Sequence, residues 1–587
     1  GERDLDGRGI MVYHGRTMKW LRTRFAKCGW GVFVSTVAGM LVMLPLLHGL
    51  PLSHDLHIHL AMLDQFRDSL AEGNLYPRWL ADFNDGYGAP TMIFYPPGLY
   101  YAASLAAWWC GGDSMAGLFL ILAILTVIGF AGVYHLLTDQ AGPWAAAGVA
   151  LALVAPFRIF ELHAAGLFPA YAAGCVFPWA LGCLQHIAGD PPGEKLISRH
   201  FLGWMISLAA MLLLNLPFSV LAMVLVSVWL VLETAWMRRL DTLIRVVTGA
   251  AAAMGISAFY LVPALAERHL VTLPQAGQNV YAGNFLFMLP GTWADPALQH
   301  LFQRMVLFPL APAVAGLVVL IACKRVSTEC GQPSFSVLLR LLAAITGGAV
   351  VLASPASRWL WASIPALATM QLPWRLLDHL TAPLSAITVL ALAVAWRRPV
   401  RSGWIRYAFA GLCLTLTLLM GALSLSCVRM NGFAPPHRIV RESAAFRRLP
   451  GDYPPRGSDD AQLRGDAALV TVTRGQISGK VLKWQSASRR IEIRAMTSGV
   501  IALRTWYYPG WSARDDRGAT LPVAAEAGTG RLVIDVPAGH HTLEISFGPT
   551  PLRLAAAWGS VIATLGLAFT WAFPRWSRYR KKSNPNR

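Results

Sequence analysis

Long apolar runs separated by short polar connections occupy most of this chain. An α-helix rising about 1.5 Å per residue needs roughly 20 apolar residues to cross a hydrocarbon core of about 30 Å. Runs approaching that length lie at 30–50, 114–137, 143–156, 168–187, 200–216, 217–236, 243–263, 303–323, 339–354, 376–396, 404–427 and 553–573, which predicts about twelve spans. Between 429 and 552 the pattern changes. Apolar and polar positions alternate at Leu469-Val470-Thr471-Val472, Ile491-Glu492-Ile493-Arg494 and Leu543-Glu544-Ile545-Ser546, the period-2 signature of strands with one buried face. With Val500–Arg504, Leu532–Val536 and a turn at Pro537-Ala538-Gly539-His540, these segments predict an antiparallel β-sandwich.

The expected fold is thus a polytopic α-helical membrane protein with a C-terminal extracytoplasmic antiparallel β-sandwich before the last span. Its divisions are a cytoplasmic segment at 1–28, a transmembrane domain at 29–428 with an outer loop at 51–113, the β-rich domain at 429–552, the last helix at 553–573 and a basic tail at 574–587.

Composition agrees with that class. Mean hydropathy is +0.47, hydrophobic residues make up 55% and charged residues only 14%, which excludes an ordinary soluble globular protein. The net charge of +19 would suit a nucleic-acid partner, but the basic residues fall in short clusters between apolar runs, where they act as topology signals. No nucleic acid is expected. Arg16, Lys19, Arg22, Arg24 and Lys27 precede the first run, and no small-residue cleavage site follows it, so that run reads as a signal anchor with its N-terminus in the cytoplasm. Lys195 with Arg199, Arg238 with Arg239, Lys324 with Arg325, the group Arg397, Arg398, Arg401 and Arg406, and the tail from Arg575 to Lys582 then share the same side. The expected location is a bacterial inner membrane with both termini cytoplasmic. Keeping these loops together requires 96–110 to be an interfacial helix instead of a span. The eight cysteines all lie in or beside apolar stretches without CxxC or Cys/His spacing, so neither a disulfide framework nor a structural zinc site is indicated.

Candidate chemistry concentrates in the first outer loop, at Ser53-His54-Asp55-Leu56-His57-Ile58-His59, Leu75-Tyr76-Pro77-Arg78-Trp79 and Phe94-Tyr95-Pro96-Pro97. Ionisable groups beside a span are costly near lipid and are expected to face a wet cavity or a partner. Asp55 is either a base or the cap of the helix that follows it. His59, four residues on, shares its helical face and either orients the carboxylate or completes a divalent metal site with it, or is interfacial. Arg78 either binds a phosphate or snorkels. Tyr95 either contacts the substrate or stands in a rigid Pro-bounded turn that aims the interfacial helix.

These motifs, together with Gly73-Asn74-Leu75-Tyr76-Pro77-Arg78-Trp79, Gly86-Tyr87-Gly88 and Gln371-Leu372-Pro373-Trp374-Arg375, resemble the bacterial integral membrane proteins labelled pyruvoyl-tetrahydropterin-synthase-related. Trp506-Tyr507-Tyr508-Pro509-Gly510-Trp511 and Pro537-Ala538-Gly539-His540-His541-Thr542-Leu543 resemble the end of the YfhO-like membrane proteins. Both groups are similar to the GT-C superfamily of polyprenyl-phosphate-sugar-dependent glycosyltransferases. The resemblance implies transfer of a sugar from a polyprenyl-phosphate-linked donor to an envelope glycan or lipid acceptor on the outer face, with an acidic residue of the first loop activating the acceptor. Asp55 takes that role. The same resemblance leads to an Arg-Gly pair and a following glutamate in the second outer loop, whereas Ala165 precedes Gly166 here and no acid follows nearby. Glu161 and His163 are the substitutes, although Arg158 and Glu161 also suit a local ion pair. Glu267 after Pro263, and the Trp374-Arg375 pair, are further substrate-binding candidates. Arg375 has the guanidinium best suited to a phosphate headgroup, or it anchors the interface with Trp374. The rival reading is a noncatalytic assembly subunit or a lipid-linked glycan transporter.

Overall fold

The computed structural model describes residues 29–191, 196–272, 280–288, 292–293, 295–324, 333–397, 403–446, 453–459 and 467–583. The expectations for the basic cluster at 16–27 and for Lys195, Arg325, Arg398 and Arg401 lie outside these residues.

Eight helices among the described residues are long and apolar enough to cross a membrane: Gly29–His48, Ser114–Leu153, Leu216–Ala235, Pro296–Ala322, Ser334–Leu352, Pro373–Arg397, Trp404–Arg429 and Pro551–Phe569. The pair Leu240–Ile256 and Ala258–Ala266, bent by 79°, makes a ninth if taken as one span. The chain is a multi-pass membrane protein, but run length alone gave a higher count than these helices support. Residues 143–156 form no separate long helix, because the nine-residue Ala145–Leu153 follows Ser114–Ala141 across the short turn Gly142–Trp144. Arg199–Leu214 has only 16 residues. Phe168–Gly189 has 22, with Tyr171, Pro178, Trp179, Gln185 and His186 diluting its apolar character. It packs between Ser114–Ala141 and Arg199–Leu214, and most of its side chains are buried by protein. The stretch at 96–110 is the 12-residue helix Gly98–Trp109, whose rise of about 18 Å is too short to span. Leu99, Tyr100 and Ala103 face the protein while Leu105, Trp108 and Trp109 are exposed.

The β-rich segment holds two antiparallel sheets. β3 (Val470–Arg474), β6 (Gly499–Trp506), β10 (Arg531–Val536) and β9 (Val523–Ala525) form one, in that spatial order. β4 (Ile477–Trp484), β5 (Ser488–Ala495), β11 (Gly539–Phe547), β7 (Trp511–Arg514) and β8 (Thr520–Leu521) form the other. Ile491 and Ile493 of β5, Ile501 and Leu503 of β6, Leu532 and Ile534 of β10, and Leu543 and Ile545 of β11 lie in one apolar cluster. Burying each such side chain contributes roughly 1.5–3 kcal/mol. Trp79, Tyr87, Ile93 and Phe94 of the outer loop join the same cluster, and the Trp506 amide donates to the Tyr87 carbonyl at 2.8 Å. The segment 79–94 is therefore packed into the β-rich domain. A second connection is the two-residue ladder of β1 (Leu50–Pro51) with β2 (Phe433–Ala434).

Candidate active site

The Asp55 loop is held by backbone bonds to the segment 160–165. His54 and Asp55 donate their amides to the carbonyls of Ala164 and Ala165 at 3.1 and 3.0 Å, and the Asn431 side chain donates to the same Ala164 carbonyl. Gly166, at φ +72°, ends the turn 160–165, and a Cβ there would stand 2.9 Å from Ser53 Oγ and 3.1 Å from the Asp55 nitrogen. Only glycine combines that conformation with that approach. Asp55 occupies the N-cap position of Leu56–Ala71, yet its carboxylate makes no capping hydrogen bond. It is 25% exposed and meets His54 Nδ1 at 2.5 Å. The side chain is thus free of the structural duty that its position suggests.

His59 is engaged by Tyr100. Its Nδ1 lies 2.8 Å from the Tyr100 hydroxyl, and its ring packs against those of Phe168 and Tyr95. Burial pushes its pKa down to about 4, against the opposing charge of Asp55, so the ring is neutral at pH 7. Its Nδ1 is taken up by the Tyr100 hydroxyl in a buried, aromatic setting. The histidine that reaches the carboxylate is His54, which is 85% exposed and sits beside a pocket of about 210 Å³ lined by Ser53, His57 and Glu442.

Arg375 comes to this region from the short helix Pro373–Leu380. Its Nη1 donates to the Met370 carbonyl at 3.3 Å, and the charge of Asp55 acts on its guanidinium. Tyr95 is half-buried beside His59 and Tyr100, with ring centroids 6.2 and 5.9 Å away, and the adjacent Phe94 stacks on Tyr453 at 5.2 Å. Tyr95 thus shares an aromatic neighbourhood with His59 of the Asp55 helix, and Arg375 stands within reach of the Asp55 charge.

Other expected site residues lie elsewhere. Arg158 donates to Glu161 at 3.1 Å and to Asp378 at 2.7 Å, and both carboxylates are almost fully buried. This cluster borders a cavity of about 40 Å³ lined also by Thr126, Tyr171 and Cys175. Glu161 thus belongs to a buried ion cluster behind the Asp55 loop, and the local Arg158 pair proves to be half of that cluster. His163 is buried and donates Nε2 to the Val42 carbonyl at 3.0 Å. Glu267 accepts from Arg553 Nε and Nη2 at 2.9 and 2.7 Å and from the Tyr508 hydroxyl at 2.9 Å. Its carboxylate joins the last helix to the β-rich domain, so it is not presented to a substrate. Trp374 packs on Phe302 and Phe157, at 4.9 and 6.2 Å between centroids. Arg78 lies 4.0 Å over the Tyr76 ring, and its Nε is buried without a hydrogen-bond partner. Burial lowers its pKa, while the fields of Tyr76 and Glu267 oppose the shift.

Sequence reasoning passed over three residues. His54 was given no role of its own, Tyr453 lies in the β-rich segment, and Asp378 was not singled out. The last had a visible signal, because a carboxylate within an apolar run at 376–396 requires a buried cation or a wet surface.

No family model matches the sequence, and no curated protein matches it. Several solved structures are similar in part, three of them as follows. The archaeal oligosaccharyltransferase AglB from Archaeoglobus fulgidus, in complex with an inhibitory peptide and a dolichol-phosphate, is 14% identical, with a TM-score of 0.43 over 69% of this chain and 56% of that one. ArnT from Cupriavidus metallidurans, bound to undecaprenyl phosphate, is 11% identical, with a TM-score of 0.39 over 71% and 74%. The mycobacterial arabinofuranosyltransferase AftD is 17% identical, with a TM-score of 0.40 over 69% and 28%. The chain spans little more than half the length of AglB and about a quarter of AftD.

Proposed function

We propose that this membrane protein is an inverting GT-C-type glycosyltransferase, moving a sugar from a polyprenyl-phosphate-linked donor to an envelope glycan or lipid acceptor at the outer face of the inner membrane. The observation that carries the reading is Asp55: a partly exposed carboxylate at a helix start that does no capping, within the electrostatic reach of Arg375. The sequence resemblance of the Asp55 loop and of the Gln371–Arg375 segment supplies the reaction class.

In this reaction an acceptor hydroxyl attacks the anomeric carbon of the donor sugar. The new carbon–oxygen bond forms as the bond to the carrier phosphate breaks, the phosphate leaving with the electron pair. Asp55 takes the acceptor proton, and Arg375 steadies the charge that develops on the departing phosphate. His54 holds the carboxylate by its 2.5 Å contact.

Purified protein in lipid nanodiscs, given radiolabelled polyprenyl-phosphate sugars and envelope acceptors, should release free carrier phosphate and labelled acceptor. Asp55→Asn should fold normally and lose roughly 100-fold or more of that release. Unchanged release would overturn the role of Asp55. The burial of Glu161 beneath the loop favours one alternative, a GT-C-like assembly subunit or carrier-glycan transporter. It would show as binding or translocation of the carrier-linked glycan without cleavage of its sugar–phosphate bond.

A further inference from the structure

The edge of the β-rich domain carries a side-chain cluster unconnected with the Asp55 neighbourhood. Inward positions of β11 alternate as His541, Leu543 and Ile545, so strand periodicity places a histidine where the sheet would otherwise bury an aliphatic residue. His541 is only 6% exposed. Its Nε2 lies 3.4 Å from the Ala538 carbonyl, an orientation that places the proton on Nε2 and leaves the lone pair on Nδ1. Nδ1 is itself buried and has no hydrogen-bond partner. A nitrogen acceptor left this way inside a domain is costly unless something fills its lone pair.

The groups facing it are carboxylates. Asp516 Oδ1 stands 3.9 Å from Nδ1, too far for a hydrogen bond. Asp515 lies next to it on the turn between β7 and β8, its Oδ1 fixed by the amides of Arg517 and Ala519 at 3.0 and 2.8 Å. One ligand atom from each of Asp515, Asp516 and His541 lies within 4.8 Å of the others. Such separations suit a single ion at ordinary metal–ligand distances of about 2.0–2.5 Å. Gly539, at φ +130°, makes room for the ring, since a Cβ there would stand 3.0 Å from His541 Nε2.

We infer that Asp515, Asp516 and His541 form a binding site for one divalent transition-metal ion, which staples the β7–β8 turn to the start of β11. One imidazole with two carboxylates suits an ion of the zinc or manganese kind better than calcium, whose ligands are oxygens alone. The Nε2–carbonyl contact is the outer-shell bond that ordinarily orients a metal-bound imidazole. Solvent completes the coordination on the exposed Asp516 side. The role is structural and independent of sugar transfer.

The test uses the full-length protein in detergent, stripped with chelator and dialysed against Zn²⁺, with bound zinc measured per chain. Wild type should hold one equivalent more than Asp516→Asn or His541→Gln, and zinc should raise the Tm of wild type but not of either variant. Asp516 is exposed, so its variant separates loss of the ion from misfolding. X-ray absorption at the zinc edge should show one imidazole nitrogen with oxygen ligands. Equal zinc stoichiometry in all three proteins, or a coordination shell of sulfur or of several imidazoles, would overturn the site.

Discussion

Glu267 and Arg553, 286 residues apart, form a doubly hydrogen-bonded ion pair at 2.9 and 2.7 Å that is sealed from solvent. Arg553 also donates to the Pro509 carbonyl, and Tyr508 donates to Glu267, so one pair fastens the helix ending at Ala266, the last helix and the β-rich domain together. The joint holds the domain whose apolar core receives Trp79 and Phe94, and through them it supports the surroundings of Tyr95.

Removing one member of a buried pair leaves the other charge uncompensated, at a cost of about 3–5 kcal/mol. Glu267→Gln should therefore lower stability by that order and loosen the β-rich domain from the helices, seen as faster proteolysis between 548 and 551. Glu544→Gln, which breaks the exposed 3.8 Å contact with Arg490, should cost less than about 1 kcal/mol. Thermal unfolding of both variants in the same detergent checks the contrast. Equal losses would mean that the Glu267 pair is no stronger than a surface contact.

His59 makes stability depend on pH. Its ring takes a proton near pH 4 in the folded protein, against 6.5 for the free side chain. Between those values the unfolded chain binds more protons, so acidification through this window favours unfolding. The stabilisation is fully present above about pH 6.5 and is lost as pH falls toward 4, amounting to about 3 kcal/mol in total. His59→Gln cannot titrate in this range, and its Tm should fall less steeply than that of wild type between pH 6.5 and 4. Parallel curves would place the acid sensitivity in other groups.

Topology gives a third expectation. Met496 is exposed on the β-rich domain, and Ser583 ends the last helix. In intact cells a membrane-impermeant thiol reagent should label Met496→Cys and leave Ser583→Cys unlabelled until the membrane is opened. The reverse order would turn the Asp55 face toward the cytoplasm and remove a donor displayed at the outer leaflet.

Local pattern carried the helical and strand segments, because each is written in its own periodicity: Ser114–Ala141 in an unbroken apolar run, β5 and β11 in strict alternation. It also brought Asp55 and Arg375 forward, each being a charge beside an apolar stretch. The turn of 79° at Ser257 was not legible, since apolar residues continue on both sides of it and no proline stands at the break. Glu161 illustrates a different loss. Its nearest cation is three residues away, but its environment is decided by Asp378, 220 residues from Arg158, and no local rule reaches that far. The surroundings of His59 were illegible for a related reason. Helical spacing puts it on the same face as Asp55, but it cannot show that the hydroxyl of Tyr100, 41 residues on, takes up the imidazole.

The last prediction separates binding from chemistry at Arg375. A guanidinium offers a planar, permanently charged fork to a phosphate, which neither an ammonium nor an amide reproduces. If Arg375 steadies the leaving phosphate, Arg375→Gln should lower kcat by roughly 100-fold, the scale of losing one well-placed electrostatic donor. Arg375→Lys should recover part of that loss while leaving KM for the donor raised. Because Asp55 acts on the acceptor proton in the same displacement, the double variant Asp55→Asn with Arg375→Gln should be less impaired than the product of the two single losses, as residues of one transition state are not additive. The competing structural role, in which Arg375 holds only the Met370 carbonyl at 3.3 Å, predicts another pattern. Tm would fall in both Arg375 variants, kcat per folded molecule would be unchanged, and the two positions would multiply independently. Initial rates across donor concentrations, normalised to folded protein, distinguish the two.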